Sequence, residues 1–207
     1  MTMRLVASCL ALVFTCSQAF AKEMPTDFQA VVDRAHAQFK DVNDGANADY
    51  IPILATVPSE MFGVVIVTRE GEIFSAGEID YEFSIQSVSK PFTASLVMAQ
   101  QGPAAVREKI GVEPTGLPFN SKMALELYAA RSVNPLVNAG AIAAVSLVEA
   151  DSEEDRWNQI HANLNAYAGR ELPVLEEVYT SEYEDSWSNR GIANLLYNYG
   201  RLYSDPE

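Results

Sequence analysis

Beyond its first 21 residues this sequence has no cysteine, since Cys9 and Cys16 both lie in the opening segment. No disulfide can brace the rest, so its stability has to come from an ordinary core. Histidine is nearly as scarce: His36 and His161 stand far apart, and with no thiol near either the usual donor set of a zinc site is missing. No metal and no cofactor is expected, and His36, in a polar helical stretch, is expected at the surface. Basic residues are also few, 14 against 28 acidic, for a net charge of −14. That balance argues against nucleic acid, whose phosphates need a basic face, and against anionic lipid. A membrane-spanning helix needs about 20 apolar residues, and the apolar run Leu5 to Phe14 is too short. There is no internal repeat and no low-complexity segment.

That short run has another reading. Arg4 is the only charge before Lys22, and Ala19-Phe20-Ala21 is an A-x-A cleavage site. Residues 1–21 therefore read as a signal peptide cut after Ala21, leaving a 22–207 domain that is periplasmic or secreted and not bound to membrane. Bulky Phe14 and Thr15 argue against lipid attachment at Cys16.

In residues 26–40, Phe28, Val31, Val32, Ala35 and Phe39 fall on one helical stripe. Two strand-like runs, 62–67 and 73–76, flank Arg69-Glu70-Gly71 and predict a β-hairpin in which Gly71 takes the positive φ. A helix is predicted from about Ser87 to Gln101, stopping at Gly102, with Pro91 in its first turn, where a missing N–H costs little. Further helices are predicted over 103–109, 121–131, 138–150, 153–168 and about 188–202. The fold class is α+β. A two-stranded hairpin is marginal by itself, and no later run supplies more strands.

Ser87-Val88-Ser89-Lys90 sets a hydroxyl and an amine three residues apart where an extended segment turns into this helix. Residues i and i+3 share a face, so the amine is expected to reach the Ser87 oxygen. A serine hydroxyl needs a base before it can attack a carbonyl, and a lysine serves if burial lowers its pKa. The helix start favours a developing oxyanion. Alone, the pattern is weak: a capping Ser and a solvated Lys at this spacing recur by chance about once in a few hundred residues.

Other runs add weight. In Asn134-Pro-Leu-Val-Asn-Ala-Gly-Ala-Ile142 a turn enters a helix of very small residues, which permits close backbone approach. Asn138 there is either a helix cap or an amide pressed against a neighbour. Glu113-Pro-Thr-Gly-Leu-Pro-Phe-Asn-Ser121 is a rigid loop feeding a helix, with Asn120 or Ser121 as cap. Tyr179 to Asn189, holding Glu182 and Trp187, reads as an exposed connection before the last helix.

Ala48-Asp-Tyr-Ile-Pro52, Phe83 to Lys90, Glu113 to Gly116, Phe119-Asn-Ser121 and Asn134 to Ile142 together resemble, in order and spacing, the bacterial serine-dependent glutaminases. That resemblance implies a β-lactamase/transpeptidase-like fold: a helical subdomain plus an antiparallel sheet whose N-terminal hairpin is present and whose C-terminal strands are absent. It implies hydrolysis of L-glutamine to L-glutamate and ammonia through an acyl-enzyme, with Ser87 as nucleophile and Lys90 as its activating base. Asn138, Glu182 and Asn189 match substrate-contacting positions, and homo-oligomers (dimers or tetramers) are implied for the full-length family. The chemistry agrees: a glutamine pocket needs an anion such as Glu182 for the α-ammonium, and donors such as Asn138 and Asn189. Family members continue for about another hundred residues, including a strand that would give the second oxyanion donor, worth about 10²–10³ in rate. The 207-residue chain is therefore expected to be weakly active or inactive alone. The alternatives are a non-catalytic remnant that binds a partner and a β-lactamase or peptidase; the latter lacks its Ser-Asp-Asn and Lys-Thr-Gly elements here.

Overall fold

The computed structural model describes residues 27–127 and 132–204. The signal-peptide reading falls on residues outside that range. The chain divides into two compact units, Met1–Ala46 with Pro58–Tyr81, and Asn47–Val57 with Glu82–Glu207.

In the first unit, α1 (Phe28–Phe39) starts where the Asp27 carboxylate accepts the Ala30 N–H at 2.9 Å. Its stripe turns inward as the periodicity requires, with Val32 fully buried, except that Phe39 is exposed. Strands β1 (Gly63–Val67) and β2 (Ile73–Gly77) form an antiparallel pair in the register Gly63 to Gly77 and Val67 to Ile73. Gly71 sits in the hairpin turn at φ 88°. Phe28 of α1 packs on Phe74 at 5.5 Å between centroids. His36 is not the surface residue expected: it is half-buried, stacked on Phe62 at 5.6 Å. Gly77 makes this possible, because a Cβ there would stand 2.5 Å from the His36 ring and 2.1 Å from the Phe62 carbonyl.

The second unit is helical. A 3₁₀ turn (Pro52–Thr56) is followed by a second (Gln86–Ser89), which hands over directly to α2 (Lys90–Gln101). A short α3 (Pro103–Ala105) continues as a π-turn (Val106–Ile110), and then come α4 (Met123–Leu127) and α5 (Asn138–Leu147). The unit closes with α6 (Glu153–Ala168), α7 (Glu176–Glu184) and α8 (Trp187–Asn198). Among the described residues the sheet has two strands, so the α+β class holds in the form of a helical body and one hairpin.

The differences from the sequence reading have local causes. The helix expected over 121–131 starts at Met123, and residues 128–131 lie outside the described range. α5 ends three residues early because Val148 turns extended at ψ 119°. α8 stops at Asn198, before Gly200 at φ 65°. The supposed connection at Tyr179–Asn189 is the end of α7 and the start of α8, with only Asp185 and Ser186 as a turn between them: α7 opens with Glu176 and Glu177 at its positive end and packs on the 3₁₀ turn Pro52–Thr56. No residue of α7 is buried.

Two apolar clusters fix the helices around the site. One joins Val97 of α2, Val106 and Ile110, and Ala143, Ala144 and Leu147 of α5. The other joins Leu125 of α4, Ala139 of α5, and Ile192 and Leu196 of α8. Each fully buried aliphatic side chain stabilises by about 1.5–3 kcal/mol.

Candidate active site

On α2, Lys90, Thr93, Ala94 and Val97 repeat at i, i+3, i+4 and i+7, and the last three are buried. Lys90 thus heads the stripe that packs on α5. Its ammonium donates to Asn138 Oδ1 at 2.6 Å and lies 5.5 Å from the centre of the Phe119 ring. Asn138 is the first residue of α5, behind an extended Val137 with no side-chain cap. The Asn138 side chain therefore does not serve as a cap, and the second of the two sequence readings holds. Its Nδ2 donates onward to Asn189 Oδ1 at 3.0 Å.

The head of α5 is held from several directions. The Asn138 N–H donates to the Phe119 carbonyl at 2.9 Å. Asn134 ties the two loops together, its Nδ2 donating to the Glu113 carbonyl and its Oδ1 accepting the Leu136 N–H, both at 2.9 Å. Gly140 explains the small residues: a Cβ there would lie 1.7 Å from the Asn134 carbonyl oxygen, so the Asn134-Pro135 turn lies directly against the helix.

Ser87 is placed differently from the expectation. It sits in the 3₁₀ turn before α2, where its carbonyl accepts the Lys90 N–H, and the residue is exposed. The backbone spacing of serine and lysine holds, but the amine bonds Asn138 and not the Ser87 hydroxyl. The turn is tight: Gln86 has φ 46°, rare for a residue with a Cβ, and the Ser89 hydroxyl donates to the Gln86 carbonyl at 2.7 Å.

The remaining two positions separate. Asn189 lies in the first turn of α8 and joins the chain Lys90–Asn138–Asn189. Glu182 lies on α7, exposed, and no described contact links it to that chain. The Lys90 ammonium is held below the ordinary lysine range by burial. Its hydrogen-bond acceptor is a neutral amide, which does not restore the charge as a carboxylate would.

Sequence reasoning did not single out Phe119 or Gln86. The Phe119-Asn-Ser121 run marked the place, but nothing local says that its ring would face Lys90, 29 residues away. A cavity of about 630 Å³ between Pro52–Thr56 and α7 is lined by Glu176, Glu177, Glu184 and Asp185 among others, and by none of the five predicted residues. Among the described residues no group of three or more His, Cys, Asp or Glu side chains could hold a metal ion.

A Ser-x-x-Lys segment at the entry to a helix, with an amide from a second helix on the lysine, in an α+β chain that superposes on solved glutaminases, defines the β-lactamase-like class. The comparisons narrow the class. The family model described as Glutaminase matches residues 45–207, and the chain belongs to the glutaminase family. It is 50% identical over 178 residues to a glutaminase of Brucella canis (strain ATCC 23365 / NCTC 10854 / RM-666), covering 86% of this chain and 56% of that one. A glutaminase of Desulfovibrio desulfuricans (strain ATCC 27774 / DSM 6949 / MB) is 49% identical over the same length, with 57% of it covered. Among solved structures, a probable glutaminase, ybaS, superposes with a TM-score of 0.84 at 48% identity, covering 86% of this chain and 58% of that one. Mglu in its glutamate form gives 0.80 at 34% identity, covering 88% and 42%. The chain thus spans a little over half the length of the curated relatives it matches.

Proposed function

We propose that this chain carries the acylating side of a glutaminase site, which hydrolyses L-glutamine to L-glutamate and ammonia. Ser87 Oγ attacks the side-chain amide carbon while the neutral Lys90 amine takes the hydroxyl proton. The resulting ammonium gives that proton to the amide nitrogen as the C–N bond breaks, so that it leaves as ammonia, and water then cleaves the Ser87 ester. The exposed Glu182 carboxylate is the anion for the substrate α-ammonium, and the Asn138 and Asn189 amides are donors for the substrate α-carboxylate or its side-chain amide. One observation carries the reading: a half-buried lysine three residues after an exposed serine, with a neutral amide as its hydrogen-bond acceptor. The glutamate form of Mglu supports a pocket of this amino-acid size in a relative.

The opening segment supports export: residues 1–21 are a leader removed after Ala21, which places the product in the periplasm or outside the cell. N-terminal sequencing of the secreted product should begin at Lys22, and an intact Met1 would refute it.

The activity is tested by ammonia release from L-glutamine, using the chain itself and a chimera extended with the unmatched remainder of the Brucella canis relative. The chimera should hydrolyse glutamine, Ser87→Ala should abolish it by about 10³-fold or more, and Lys90→Ala should slow acylation. A chimera that folds but leaves glutamine intact, or a Ser87→Ala form that turns over normally, would overturn the reading.

A further inference from the structure

We infer that Asn189 is a positioning residue: by accepting the Asn138 side-chain N–H it holds Asn138 with Oδ1 toward Lys90, so that the amine keeps its lone pair for the serine. The inference rests on the glutaminase reading for its catalytic consequence, but the amide orientation itself does not.

The two ends of an asparagine amide are nearly alike in shape and opposite in hydrogen bonding. An ammonium has only donors, so a charged Lys90 selects Oδ1 without help. A base, however, must be neutral, and a neutral amine carries a lone pair that accepts an amide N–H readily. If Asn138 turned over at that moment, its Nδ2 would occupy the lone pair that has to take the Ser87 proton. Lys90 cannot prevent this once it is neutral, so the selection has to come from the other end of the chain.

Asn189 stands at that end. Its Oδ1 accepts from Asn138 Nδ2 at 3.0 Å, and with Asn189 in this orientation a turned Asn138 would set two oxygens face to face. The placement follows from packing: Asn189, Ile192 and Leu196 are at i, i+3 and i+7 of α8, and Ile192 and Leu196 are fully buried against Ala139, the neighbour of Asn138. The backbone of Asn138 is pinned by the Phe119 carbonyl at 2.9 Å, so only its side-chain torsion is left to choose. The described groups facing the Lys90 amine are the Asn138 amide and the Phe119 ring, and the described ion pairs leave Lys90 out.

The test follows the Asn138 side-chain amide and the Lys90 ε-carbon by NMR in the labelled chain through an alkaline titration. In the wild type the Asn138 amide signals should keep their position as Lys90 loses its proton. In Asn189→Ala they should move with that titration, and the Lys90 midpoint should fall, because the neutral amine gains a donor. Asn189→Asp keeps an acceptor, so the amide signals should hold and the Lys90 midpoint should rise. Unchanged signals and midpoint in Asn189→Ala, with the backbone spectrum intact, would overturn the inference. So would an Asn189→Asp form whose Asn138 amide signals move with the Lys90 titration, and that variant decides the matter if Asn189→Ala loses its fold. None of these readouts needs turnover. The expected titrations with no glutamine hydrolysis by the folded chimera would sink the glutaminase reading alone, and hydrolysis by the chimera with unaffected titrations would sink only the role of Asn189.

Discussion

Lys90 and Glu182 are the two charged groups in the helical unit to which sequence assigned roles, and their surroundings are opposite. Lys90 heads a buried stripe, is half-buried itself, and ends a chain of two amides supported by both apolar clusters. Glu182 lies on a helix with no buried residue and stands in solvent. Orientation is thus built into the folded helices at the amine, where hydrogen bonds from α5 and α8 fix the geometry before any substrate arrives. At the carboxylate the fold supplies charge and leaves its direction open. Preorganisation matters most where a proton has to move, and the molecule spends its packing there.

The largest way to break this contrast is at Gly140. A Cβ there would meet the Asn134 carbonyl at 1.7 Å, a collision of the new methyl with backbone that no rotamer relieves. Gly140→Ala should cost at least about 4 kcal/mol by urea unfolding and should detach Asn138 from Lys90. Ile192→Ala removes a fully buried side chain beneath Asn189 and should cost about 3 kcal/mol. In the surviving fold it should also perturb the Asn138 amide signals.

A smaller effect sharpens the account through pH. Burial lowers the Lys90 pKa below its unfolded value, so the charged form is penalised in the fold. That penalty is full below the folded pKa and fades as pH rises through it toward the unfolded value. Lys90→Met should therefore compare most favourably with the wild type near neutrality and lose that advantage steadily in alkaline urea titrations. Glu182→Gln should be the mildest for the fold, within about 0.5 kcal/mol, while raising KM for glutamine in the active chimera. A stability loss as large as that of Ile192→Ala would mean that Glu182 is held in the fold after all.

What the sequence revealed and what it concealed divide along the same line. Periodicity in α1 and Gly71 in its turn place that helix and the hairpin from local pattern alone. α7 was passed over because it is short, nine residues against sixteen in α6, and begins without a side-chain cap, so it looks like a connection. The small residues after Asn138 signalled a close approach, but only the fold shows that the partner is the Asn134 carbonyl. The Ser87–Lys90 spacing was legible, whereas the acceptor of the lysine was not: Asn138 lies 48 residues along the chain, and helix packing brings it there. Gln86 at φ 46° is likewise beyond local reading, since the surrounding structure imposes it.

The central claim is that Lys90 is held as an amine that gives up its proton more readily than a lysine in water, which titrates near about 10.4. Following the Lys90 ε-carbon resonance of the folded chain against pH tests this most directly, with Lys90→Arg to assign the signal. The expected midpoint lies clearly below that of a free lysine. A midpoint at or above it would leave Ser87 beside a cation with no proton-accepting role and refute the assignment of Lys90 as base.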